Sequence, residues 1–116
     1  MRPSRSGKRA LVNAAIAAAA IASLASAAAS AGPMAPDRRD DLMNLLVQDC
    51  GSCHGLTMKG GLGPGLLPAD LDGKPTDGLA EIILDGVPGT PMPPWRPFLA
   101  PAEAAWMVER LKEGLQ

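Results

Sequence analysis

Cys50-Gly51-Ser52-Cys53-His54 decides how the rest of this chain is read. Two thiols two residues apart, with an imidazole directly after them, admit few chemistries. In an oxidising compartment the thiols could close on each other as a disulfide, which leaves the adjoining histidine without a purpose. A thioredoxin-like redox pair wants a βαβ setting, and the chain shows no alternating strand pattern. A structural zinc site wants four ligands, but these two cysteines and this one histidine are all that the 116 residues contain.

The pentapeptide has the C-x-x-C-H form of covalent c-type haem attachment. Cys50 and Cys53 can reach the two vinyl groups of the macrocycle, and His54 can then meet the iron from the same side. One imidazole leaves the sixth iron position to be filled, and methionine sulfur is the remaining candidate. Met34 lies outside the expected core, Met43 and Met107 sit at helical spacing where Met fills gaps, and Met58 follows His54 too closely to wrap around the ring. Met92 lies far downstream in Gly89-Thr90-Pro91-Met92-Pro93-Pro94-Trp95, a loop whose prolines hold it extended and stiff. It is the expected second axial ligand. A ligating histidine normally donates its other ring N–H to a carbonyl. Pro64, with no N–H of its own, is expected to accept it and so orient His54. Trp95 and Arg96 follow the methionine loop directly and are candidates for hydrogen bonds to a haem propionate, a charge that needs compensation near a core.

Outward from the motif, three helices are expected. One runs from Asp37 to about Gln48, with Leu42, Leu45 and Leu46 on one face. A second runs from Thr76, a candidate cap, to Leu84, with Gly86 just past its end. The third runs from near Pro101 to Lys112 and stops at Gly114. Between them, residues 51–75 and 87–97 are broken by Gly and Pro too often for a long regular element. With 13 Gly, 12 Pro, two Trp, one Phe and no Tyr, a conventional packed core would be small. A chain of this length holds one domain at most, and such a domain needs a covalent or metal-based staple.

Residues 1–31 read as a cleaved secretory signal: Arg2, Arg5, Lys8 and Arg9, then an Ala-rich apolar run too short and too poor in large residues to span a bilayer stably. Residues 32–116 would then form the domain, delivered to the periplasm. Its seven basic residues stand against twelve acidic ones, a net charge near −5. That balance argues against nucleic acid or an anionic membrane as partner. Nor does the chain carry a second cluster of titratable residues that would support acid–base catalysis, so it is expected not to be an enzyme.

The C-x-x-C-H motif, Gly63-Pro64-Gly65-Leu66, the Leu/Ile-rich helix ending at Gly86 and the Met92-Pro93-Pro94 loop together resemble the small class I cytochromes c over residues 37–115. More narrowly, residues 55–64, Ile83-Leu84-Asp85-Gly86 and residues 88–99 are similar to the NirC (cytochrome c55X) type, short periplasmic cytochromes of denitrification gene clusters. The resemblance implies an all-α fold, three main helices and long loops around one covalently bound haem c. It also implies a monomeric electron carrier that donates to the haem c/haem d1 nitrite reductase and exchanges electrons with other respiratory cytochromes. An accessory redox role in haem d1 biosynthesis or maturation of that reductase is the alternative. One departure stands out. Where many class I members place Gly and an aromatic on the first helix, this chain has Leu42 and Leu46, so the first and last helices are expected to meet with a different fit, with Trp106 nearby.

Overall fold

The first helix starts where proline permits it. In the computed structural model, which describes residues 32–115, α1 spans Pro36–Leu45 with Pro36 in its first turn, where a missing N–H costs nothing. Leu42 is fully buried, and Leu46, one turn on, is too. The helical path does not stop near Gln48 as expected. It widens into a π turn over Leu46–Cys50, in which the Gly51 N–H reaches back five residues to the Leu46 carbonyl. It then tightens again as α2, Gly51–His54, and ends at Gly55 with φ 87°. Gly51 is itself helical and buried, so a residue that reads as punctuation is an interior position here.

Two further helices precede the last one. A single turn, α3 (Pro68–Leu71), lies inside the Gly/Pro-rich stretch, with the Asp70 carboxylate accepting the Leu67 N–H at 2.9 Å. α4 (Thr76–Asp85) buries Ala80 and Leu84 and ends at Gly86, whose φ of 68° suits glycine. Thr76 is its first helical residue rather than its cap, and its hydroxyl accepts from Lys112 at 3.4 Å. α5 (Pro101–Glu113) buries Ala104, Met107, Val108 and Leu111, the i, i+3, i+4, i+7 stripe of a helix that faces a core on one side. Among the described residues there is no strand, and no helix is long and apolar enough to cross a membrane. The segment read as a secretory signal lies outside the described residues.

The core is where α5 receives its neighbours. α4 packs most extensively against it, with α3 and α1 also in contact. Leu42, Leu46, Leu84, Met107 and Val108 are its largest fully buried side chains. A forked ion pair closes the α1–α5 contact: Arg38 Nε donates to Glu103 Oε1 at 2.6 Å and its Nη2 to Oε2 at 3.0 Å. Glu103 also accepts the Ala100 N–H at 2.8 Å, so one carboxylate caps α5 and holds α1. Arg38 holds that carboxyl below the usual carboxylate range. Trp106 is half-buried against the core, with the Arg110 guanidinium 5.5 Å from its ring centre.

Candidate functional site

The widened helix delivers the motif to a cavity. Cys50, Cys53 and His54 line a space of about 980 Å³, at the upper end of the ~300–1,000 Å³ of small-ligand sites. Its wall is mainly apolar, with Leu46, Leu66, Ile83 and Val108 among the contributors. Both cysteines are half-buried and are not bonded to each other. Burial pushes the Cys50 thiol up to about 11, with the Asp49 carboxylate acting in the same direction. A thioredoxin-like pair would also need a βαβ setting, and there is no strand among the described residues. Among the described residues no group of three His, Cys, Asp or Glu is placed to hold a metal ion between them.

The loop after α2 is folded against the motif by backbone bonds of short range. Gly60 N–H donates to the His54 carbonyl at 2.7 Å and Gly63 N–H to that of Cys53 at 2.9 Å. The chain thereby presents the Pro64 carbonyl to the histidine ring, and His54 Nδ1–H donates to it at 2.7 Å. Nε2 is left as the ring nitrogen available to an iron. A side chain at Gly63 would prevent this, since a Cβ there would lie 2.7 Å from His54 Cε1 and 2.8 Å from Nδ1.

Met92 lines the same cavity from the loop that follows α4. Among the described residues it is the one methionine that does so; Met58 and Met107 are buried in the core instead. Met58 is also the one described residue other than glycine with a positive φ, 58°. The prolines around Met92 give the loop few donors, and what holds it is the end of α4. Val87 N–H donates to the Met92 carbonyl at 3.2 Å, Trp95 N–H to Ile83 at 3.1 Å and Arg96 N–H to Leu84 at 3.0 Å. Gly86 permits the close approach, because a Cβ there would lie 2.7 Å from the Met92 carbonyl oxygen.

Trp95 lines the cavity, half-buried, with its ring edge against Phe98. Arg96 does not line it. Its Nε donates to Asp85 Oδ1 at 2.8 Å and its Nη2 to Glu81 Oε2 at 3.0 Å, both on α4. Two carboxylates one helical turn apart offer this cation strong charge-assisted bonds, so its guanidinium is tied to the neighbouring helix. Two residues not singled out in the sequence, Asp70 and Lys74, do line the cavity, Lys74 with its ammonium on the Asp70 carbonyl. Both come from the Gly/Pro-rich stretch, where no spacing marks them.

A family model described as cytochrome c oxidase, cbb3-type, subunit III matches residues 37–109. The solved structure of a c-type cytochrome NirC superposes with a TM-score of 0.67 at 51% identity, covering 69% of this chain and 94% of that one. The chain belongs to the c-type cytochromes, of the cytochrome c55X type. Cytochrome c55X of Pseudomonas aeruginosa is 54% identical to it over 77 residues, 66% of this chain and 65% of that relative, so this cytochrome spans slightly under two thirds of the length of that relative. A structure described as dihydro-heme d1 dehydrogenase NirN in complex with DHE is similar to 61% of this cytochrome at 37% identity and a TM-score of 0.56, over 15% of its own chain. The cofactor of this cytochrome is covalently bound haem c, and the structure fits it: an apolar cavity next to a small core, with the two thiols of C-x-x-C-H and an oriented imidazole on its wall.

Proposed function

We propose that this protein is a periplasmic electron carrier, not an enzyme, that passes electrons to the haem c/haem d1 nitrite reductase. In this reading Cys50 and Cys53 would form the thioether links, His54 and Met92 would hold the iron, and Pro64 orients His54. The observation that carries it is the convergence of His54 and Met92, from distant parts of the chain, on one cavity. An imidazole and a thioether both held on the iron would leave no position for a substrate. When bound, the haem supplies a reversible one-electron couple, and thioether ligation raises its potential.

The chain's own residues then do three things. The Pro64 carbonyl accepts the hydrogen bond from Nδ1–H and so leaves Nε2 as the nitrogen that would meet the iron. The apolar wall excludes water, which favours the less charged ferrous state. The loop, tied back to the end of α4, would keep Met92 in place in both oxidation states, so little would have to move when an electron is transferred. The periplasmic location rests on the basic and Ala-rich leader.

Two measurements test this. The ferric protein is expected to show the weak long-wavelength charge-transfer band of a Met–iron bond, and Met92→Ala is expected to abolish it while the pigment stays covalently attached. Stopped-flow mixing of the reduced protein with the reductase is expected to oxidise it; no transfer above background overturns the partner. The likeness to part of a haem d1 dehydrogenase favours a second reading, in which the cytochrome accepts electrons released in haem d1 maturation. A deletion strain that assembles fully active reductase would count against that reading.

A further inference from the structure

We infer that Arg96 is a positioning residue for Met92: by bridging to Asp85 and Glu81 it closes the methionine loop onto α4 and limits how often the thioether leaves the iron. The inference rests on the reading of Met92 as the axial ligand. The loop leaves α4 at Gly86 and returns to the same helix end, where the Trp95 and Arg96 N–H groups satisfy the Ile83 and Leu84 carbonyls, two of the acceptors that a helix C-terminus leaves open. Between these points the loop braces only itself. Thr90 Oγ1–H donates to the Val87 carbonyl at 2.6 Å, and the Met92 N–H donates to Thr90 Oγ1 at 3.3 Å. Pro88, Pro91, Pro93 and Pro94 contribute no donors.

Among the described residues, the Arg96 fork is the one side-chain hydrogen-bonded tie between this loop and the helix. It sits where a closing device should, at the return point and directly after Trp95. Its partners are four residues apart on one face of α4, so a planar guanidinium can meet both at once. The three side chains are 49%, 58% and 60% exposed, so the tie adds little to global stability and weakens as salt rises. Opening of the loop is a smaller event than unfolding. It breaks this tie while the α4–α5 core stays packed.

The test uses the haem-loaded protein and an outside ligand that binds only when Met92 has left the iron: imidazole for the ferric form, carbon monoxide for the ferrous form. Arg96→Gln is expected to raise the apparent affinity for imidazole about two- to five-fold, with far-UV melting unchanged. Asp85→Asn combined with Glu81→Gln should do the same and add nothing to Arg96→Gln. Arg96→Lys should restore part of the effect, and raised salt should shrink the difference from wild type. Unchanged imidazole affinity in Arg96→Gln, or a change matched by an equal loss of global stability, overturns the inference. If instead the wild-type protein lacks the Met–iron band and Met92→Ala binds imidazole no better than wild type, the axial assignment has failed and the role of Arg96 falls with it.

Discussion

The wall of the cavity that carries His54 and the wall that carries Met92 are assembled on different scales of the chain. On the first, Cys50, Cys53 and His54 share a helical turn, and the loop through Pro64 closes on them with bonds to the Cys53 and His54 carbonyls and to the imidazole. On the second, Met92 is placed only because α4 ends where it does and receives the returning chain at Ile83 and Leu84. The first wall is a local structure that carries its own support. The second is borrowed from the packing of α4 on α5. A perturbation should therefore reach the two ligands unequally, with Met92 the one that lets go first.

The largest effect should come from removing what both walls share. Cys50→Ser combined with Cys53→Ser is expected to leave no covalent pigment and to abolish the cooperative far-UV melting transition, because the remaining core is too small to hold the fold. A colourless protein that still melts cooperatively would break the comparison at its base.

Glycine substitutions separate the two walls. At Gly86 a Cβ would meet backbone atoms, the Met92 oxygen at 2.7 Å and Pro93 C and Pro94 N at 2.8 Å, and the φ of 68° adds strain. Gly86→Ala is expected to cost about 2–3 kcal/mol in denaturant titration and to remove the Met–iron band while the His54 side stays intact. At Gly63 the φ is ordinary and the atoms in the way belong to the imidazole. Gly63→Ala is expected to cost about 1–2 kcal/mol and to perturb the His54 ligation instead. Equal loss of the band in both variants would show that the walls are not independent.

The smallest effect should lie away from both walls, at the Arg38–Glu103 clasp. Because Arg38 lowers the Glu103 pKa, the clasp contributes fully above the ordinary glutamate value of ~4.3 and is lost as pH falls through the lowered folded value. Glu103→Gln retains a side chain able to cap α5 but removes the charge. Its melting temperature is expected to fall slightly below wild type at neutral pH and to converge with it in acid, with the visible spectrum unchanged throughout. A spectral change would tie the clasp to the site.

Several elements were legible because their causes are local. The α5 stripe from Ala104 to Leu111, the stop of α4 at Gly86 and the start of α5 at Pro101 follow from periodicity and from the backbone preferences of Gly and Pro. The end of the first helix was not legible. Gly51 reads as a breaker, yet here it is helical, and the π turn before it starts at the buried Leu46. Thr76 suits a cap because hydroxyl residues favour that place, but Pro75 occupies it. The carboxylate partners of Arg96 on α4 were not legible either, because Glu81 and Asp85 are 15 and 11 residues away in the chain.

What the sequence alone determined is the chemistry of one turn: the spacing of Cys50, Cys53 and His54 places two thiols and an imidazole together, because over a few residues the backbone leaves little choice. The proline-rich setting of Met92 already marked it in the sequence; tertiary structure alone decided which residues hold it opposite them. Those contacts join chain segments far apart in sequence, and such distances are set by how α4 packs on α5, which no local pattern encodes.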